Sequence, residues 1–162
     1  MTRQRLPLLL FICVAALRVS AARPSSLKDQ LATIPEKPAA DAVWTYKKAG
    51  DKDLNLSVFL PADYESDKRF PVMMWFHGGS WNAGDVNWHF PDCEYWSRRG
   101  MIAVSVDYRL RDRDGVPVPL ECVKDAKAAV AFLRKQAARL KVDPARIVVA
   151  GDSAGRQLAA AT

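Results

Sequence analysis

Histidine, cysteine and long apolar stretches are all scarce in this chain, and each shortage removes a class of protein. His77 and His89 are the only histidines, and the cysteines are Cys13, Cys93 and Cys122. These residues do not form a metal-binding set, so no metal is expected. No apolar run is long enough to span a bilayer comfortably, because Leu6 to Leu17 is short and is broken by Pro7. No Lys/Arg run with interleaved aromatics is present either, so nucleic acid is set aside as a partner.

The N-terminus carries the features of an export signal. Arg3 and Arg5 precede the apolar run, Arg18 ends it, and the small residues Ser20, Ala21 and Ala22 offer a cleavage site. Residues 1–22 are therefore expected to be a signal peptide, and the protein secreted or periplasmic. The leader holds three arginines and no acid, so its removal halves the formal excess of +6 and leaves an ordinary surface charge. It also removes Cys13. Cys93 and Cys122 remain, in a compartment where a disulfide can persist. Both fall near the starts of different helices, so they form either a bridge or two separate buried thiols, according to whether those helices share a face of the sheet.

Residues 23–42 have no sustained period and read as an N-terminal arm. Val43 to Tyr46 reads as a strand, followed by a turn at Gly50-Asp51. Leu54, Leu56, Val58 and Leu60 then alternate as one face of a second, hairpin-paired strand. Val72 to Phe76, Ile102 to Val106 and Ile147 to Ala150 are short apolar runs without alternation, as in strands covered on both faces. A short helix is expected at about Asp92 to Arg99, ended by Gly100. A longer one has its apolar stripe at Val123, Ala126, Val130, Leu133, Ala137 and Leu140. Asp143-Pro144 makes the turn into the last strand. The fold class is α/β, with a mostly parallel sheet and helices on both faces, and residues 43–162 belong to one domain.

The last strand runs into Gly151-Asp152-Ser153-Ala154-Gly155, a G-x-S-x-G string, and a helix start follows. A serine on a tight strand-to-helix turn projects its hydroxyl above a sheet, and small residues on either side let the chain pass close to its neighbours. Ser153 is the candidate nucleophile. After the first buried strand comes His77-Gly78-Gly79-Ser80-Trp81, where glycine permits the close backbone approach an oxyanion needs. Gly78, Gly79 and Ala154 are the candidate oxyanion donors; His77, Gly151, Asp152 and Gly155 are candidate supports. His77 reads as a residue that pins the loop, because the base in this arrangement follows the nucleophile in the chain. His89 reads as a loop or rim residue. Trp81 and Trp88 either line the acyl or alcohol pocket or pack against the sheet.

The segments His77 to Trp81, Val106 to Leu110, Asp143 to Ile147 and Gly151 to Gly155 occur together in this order. In this the chain resembles the hormone-sensitive-lipase-like and acetylxylan-esterase-like branch of the α/β hydrolases over about residues 43–162. The resemblance implies hydrolysis of small or polysaccharide-linked acyl esters through Ser153, without a cofactor. It also implies a triad Asp or Glu and a His beyond Thr162, leaving this stretch incomplete as a domain and with an unpaired apolar edge at its last strand. The alternative is a catalytically inactive truncated chain or a non-catalytic binding protein of the same fold. Arg156 departs from the family, which has glycine there; its side chain should disturb the packing under the turn or swing outward.

Overall fold

The computed structural model describes residues 38–162; the expected signal peptide and all but the last few residues of the expected arm lie outside the described residues. Alternating side chains set up the first hairpin. β1 (Ala42–Ala49) and β2 (Lys52–Phe59) pair antiparallel, with Trp44 opposite Leu56. Leu54, Leu56 and Val58 are completely buried on one face. β3 (Phe70–Phe76), β4 (Ile102–Val106) and β5 (Val142–Gly151) complete a five-stranded sheet of order β1-β2-β4-β3-β5. β4 is antiparallel to β2 and parallel to β3, and β3 is parallel to β5.

Helices cover both faces, which is why β3 and β4 need apolar side chains in both directions. A 3-10 turn at Val86–His89 leads into α1 (Phe90–Ser97), whose Phe90 and Cys93 pack with Phe59, Met73 and Ala103 on one face. A single turn, α2 (Arg111–Asp114), precedes α3 (Leu120–Lys135). From α3, Cys122, Ala126, Ala129, Val130 and Leu133 pack on the other face with Leu56, Val72, Met74 and Phe76. α4 (Ser153–Ala160) adds Leu158 to the same core. The stripe expected to run to Leu140 stays buried at Ala137 and Leu140, but those residues lie in the turns beyond α3.

Cys93 and Cys122 are both free and buried, because α1 and α3 lie on opposite faces of the sheet, so of the two alternatives the separate thiols stand and the possible disulfide is absent. Two other expectations are corrected. Ile147 to Ala150 is not covered on both faces, since Val148 is exposed, whereas the unpaired edge expected of this strand is present among the described residues, where β5 pairs only with β3. The turn at Asp143-Pro144 does not precede the last strand but interrupts it. Pairing with β3 jumps from Phe70–Val142 to Val72–Ile147, and the intervening residues bulge outward with Asp143 Oδ1 accepting the Ala145 N–H at 3.0 Å.

One buried charge ties these layers together. The Asp125 side chain on α3 is completely buried and accepts from Lys47 Nζ on β1 at 2.6 Å. It also accepts from Arg109 at Nε, at Nη2 (both 2.8 Å) and at the backbone N–H (3.2 Å). Removing one member of such a cluster leaves buried charge uncompensated, which costs about 3–5 kcal/mol. Asp125→Ala is therefore expected to lower unfolding stability by about that amount, read from the midpoint of urea denaturation.

Candidate active site

The site forms at the carboxyl ends of β3 and β5, which are neighbours in the sheet. β5 leads into Asp152 with extended backbone (φ −111°, ψ 150°), and Ser153 then turns with φ +46° as α4 begins. A left-handed serine costs about 1–3 kcal/mol and persists only where its surroundings over-determine it. Those surroundings are backbone. A Cβ on Gly155 would run into the carbonyl oxygen of Phe76, and one on Gly151 would stand 2.5 Å from the same oxygen. The first turn of α4 is thus pressed against the end of β3 with no room for a side chain.

The chain leaving β3 passes the other side of the serine. A Cβ built on Gly78 would lie 3.2 Å from Ser153 Cβ and 2.5 Å from Asp152 Oδ2. Gly79 (φ +104°), Ser80 (φ +53°) and Trp81 (φ +60°) form a left-handed run, and the Gly79 carbonyl accepts from the N–H groups of Asn82 and Ala83. His77 anchors this loop from beneath and is completely buried. Its Nδ1 is 2.8 Å from the Gly78 carbonyl oxygen, and its ring stacks on Tyr108 at 4.4 Å. The Tyr108 hydroxyl donates to the His77 carbonyl at 2.6 Å. Burial holds the His77 imidazole below its ordinary pKa near 6.5, so the neutral ring donates from Nδ1.

Ser153, Ala154, Gly78 and Asp152 are therefore brought together, with His77, Gly151 and Gly155 behind them. Among the described residues neither histidine hydrogen-bonds Ser153. The N–H groups at the start of α4 have no partner within the helix, as at any helix start, and the Asp152 side chain makes no capping bond to them. His89 departs from the loop or rim position expected of it. It is 8% exposed, its ring stacks on Trp75 at 4.8 Å, and its nitrogens lie 2.9 Å from Asp92 Oδ2 and 2.9 Å from Asp152 Oδ1. Trp81 packs against the main core, whereas Trp88 is exposed with its ring edge-on to His77. Arg156 has swung out: its side chain is exposed and makes no ion pair among the described residues, while Gly155 provides the close contact.

The depressed pKa of His77 has a consequence for stability. Below about pH 6.5 the unfolded chain takes up a proton that the native ring refuses, so the unfolded state is favoured as pH falls. The melting temperature of the parent is expected to fall more steeply from pH 7 to pH 5 than that of His77→Gln, as measured by circular dichroism; parallel curves would contradict this.

Comparison with known proteins gives a consistent result. The BD-FAE family model matches residues 56–162. Carboxylesterase NlhH of Mycobacterium tuberculosis is 32% identical over 151 residues, which are 93% of this chain and 45% of that protein. The propionate-bound esterase of the planctomycete Thermogutta terrifontis is 44% identical with a TM-score of 0.74, covering 79% of this chain and 46% of that one. A structure described as Thermogutta terrifontis esterase 2 phosphorylated by paraoxon has the same identity and a TM-score of 0.72, covering 78% and 47%. The chain thus spans a little under half the length of each of these relatives.

Proposed function

Because the chain belongs to the BD-FAE family and has the fold of α/β-hydrolase esterases, we propose that the whole protein is a serine carboxylester hydrolase acting on small acyl esters. The observation that carries this reading is the left-handed Ser153 at the start of α4, facing Gly78 so closely that a side chain there would press on the serine Cβ. In the proposed reaction the Ser153 hydroxyl attacks the ester carbonyl and gives its proton to a histidine. The tetrahedral oxyanion is received by the N–H groups of Gly78, Gly79 and Ala154. Collapse breaks the bond to the alkoxy oxygen, which takes the proton from the histidine and leaves as alcohol. Water attacks the acyl-enzyme through the same base, releases the acid and restores Ser153.

The histidine and its orienting acid belong, on this reading, to residues beyond 162, since His77 and His89 are both engaged elsewhere. The signal-like pattern of residues 1–22 supports export, and acetylated polysaccharide outside the cell is then a natural ester to test alongside small soluble ones. The bound propionate and the paraoxon adduct are features of the Thermogutta esterase structures. They suggest short acyl chains and organophosphates as the first probes for this protein.

The full-length protein should hydrolyse p-nitrophenyl acetate and propionate and be inactivated by paraoxon with one phosphoryl group per chain. In Ser153→Ala, hydrolysis should fall by about a thousandfold or more and the adduct should disappear from the intact mass. A Ser153→Ala protein that still turns over esters would defeat the assignment. Absence of both turnover and labelling in the parent would favour a non-catalytic protein of this fold.

A further inference from the structure

Asp152 is an anion standing where the proposed chemistry needs an anion to be received. It is the N-cap residue of α4, with the extended backbone usual there. An aspartate at that position ordinarily turns back to accept a hydrogen bond from the N–H two or three residues on. Those N–H groups belong to Ala154 and Gly155, and the first is a proposed oxyanion donor. The Asp152 side chain makes no such bond. Its Oδ1 is 2.9 Å from His89 Nε2, and its Oδ2 faces the Gly78 backbone.

His89 is itself held in place. Its ring lies flat against Trp75, with an angle of 19° between the planes, and its Nδ1 is 2.9 Å from Asp92 Oδ2. A proton on Nε2 makes the ring a donor to Asp152 Oδ1, and the contact of Nδ1 with Asp92 Oδ2 fixes the ring's orientation. We infer that His89 is a positioning residue that draws the Asp152 carboxylate away from the start of α4, and so keeps the Ala154 N–H free for the oxyanion of the reacting ester. The inference rests on the esterase reading of Ser153 and Ala154. Once released, the carboxylate is favoured at the helix start both by capping and by the helix dipole. There it would take up a donor and set a like charge against the developing oxyanion.

The test compares kcat and KM for p-nitrophenyl propionate in the full-length protein carrying His89→Phe, Asp152→Ala or both. His89→Phe keeps an aromatic ring on Trp75 and removes both ring nitrogens. It should lower kcat about tenfold or more with KM changed by less than about twofold, since outright loss of one oxyanion donor costs about a hundredfold or more. His89→Gln, which retains one amide donor, should recover most of that loss. In the Asp152→Ala background the His89→Phe change should alter kcat by less than about twofold, because no carboxylate remains to be restrained. Equal damage in both backgrounds would overturn the proposal. So would an unchanged kcat in His89→Phe, which would mean that the turn at Ser153 alone keeps the carboxylate away. A second measurement needs no turnover: the Ala154 amide proton should move downfield in His89→Phe and return in the double variant. A signal that stays put overturns the inference even if esters are cleaved. A signal that moves in a parent without esterase activity upholds the displaced carboxylate and overturns the esterase reading instead.

Discussion

Everything at the candidate site depends on one backbone-to-backbone contact, the seating of Gly155 against the carbonyls of Phe76 and His77. The contact joins the first turn of α4 to the end of β3, and these carry the serine and the loop facing it. Parallel pairing of β3 with β5 brings the two strand ends to the same level, with Phe76 opposite Gly151. The absent Cβ atoms then let the elements close. Strain at Ser153 is sustained because the residues on either side of it cannot relax without breaking that contact.

Two consecutive residues after β4 extend this constraint through the fold. Tyr108 stacks on His77 and donates to its carbonyl, holding the loop that contains Gly78. Arg109 is fixed by the buried Asp125, which also receives Lys47 from the far edge of the sheet. The segment therefore couples the glycine loop to α3 and β1. A buried ion cluster is rarely a large net source of stability, because desolvation offsets most of the attraction. Its value here is directional: the fork of Arg109 meets both Asp125 oxygens, which sets where Tyr108 stands.

How much was legible in the sequence follows from the range of each interaction. Alternation at Leu54, Leu56 and Val58, and its absence at Val72 to Phe76, reported burial on one face or two because burial is what that pattern encodes. The two glycine motifs were legible for a similar reason, since a left-handed turn and a close approach each require particular residues locally. β5 broke the rule. Its composition is that of a buried strand, but Val148 is exposed among the described residues, and a local pattern does not report what packs on each face of a strand. His89 was misplaced because its partners include Asp152, far along the chain, and Trp75, whose ring it covers. Asp92, three residues after His89, is the one local sign of its hydrogen bonding. The separation of Cys93 from Cys122 likewise depended on which face each helix covers.

Two glycines show why the site is harder to alter than its surroundings. Gly100 follows α1 with φ +81°, and a Cβ there would meet nothing within 4 Å. The requirement is conformational, of the kind asparagine also meets at modest cost. Gly155 lies within a helix and is not among the positive-φ residues, so its backbone would accept any side chain, yet the space is filled by carbonyl oxygen atoms that cannot rotate aside. A flexible side chain in the way can find another rotamer; a backbone carbonyl moves only with its strand. Because β3 is paired on both sides, by β4 and β5, that motion would disturb two ladders. The sheet thus makes the geometry of Ser153 a property of its central strand, and the outward swing of Arg156 leaves that geometry intact.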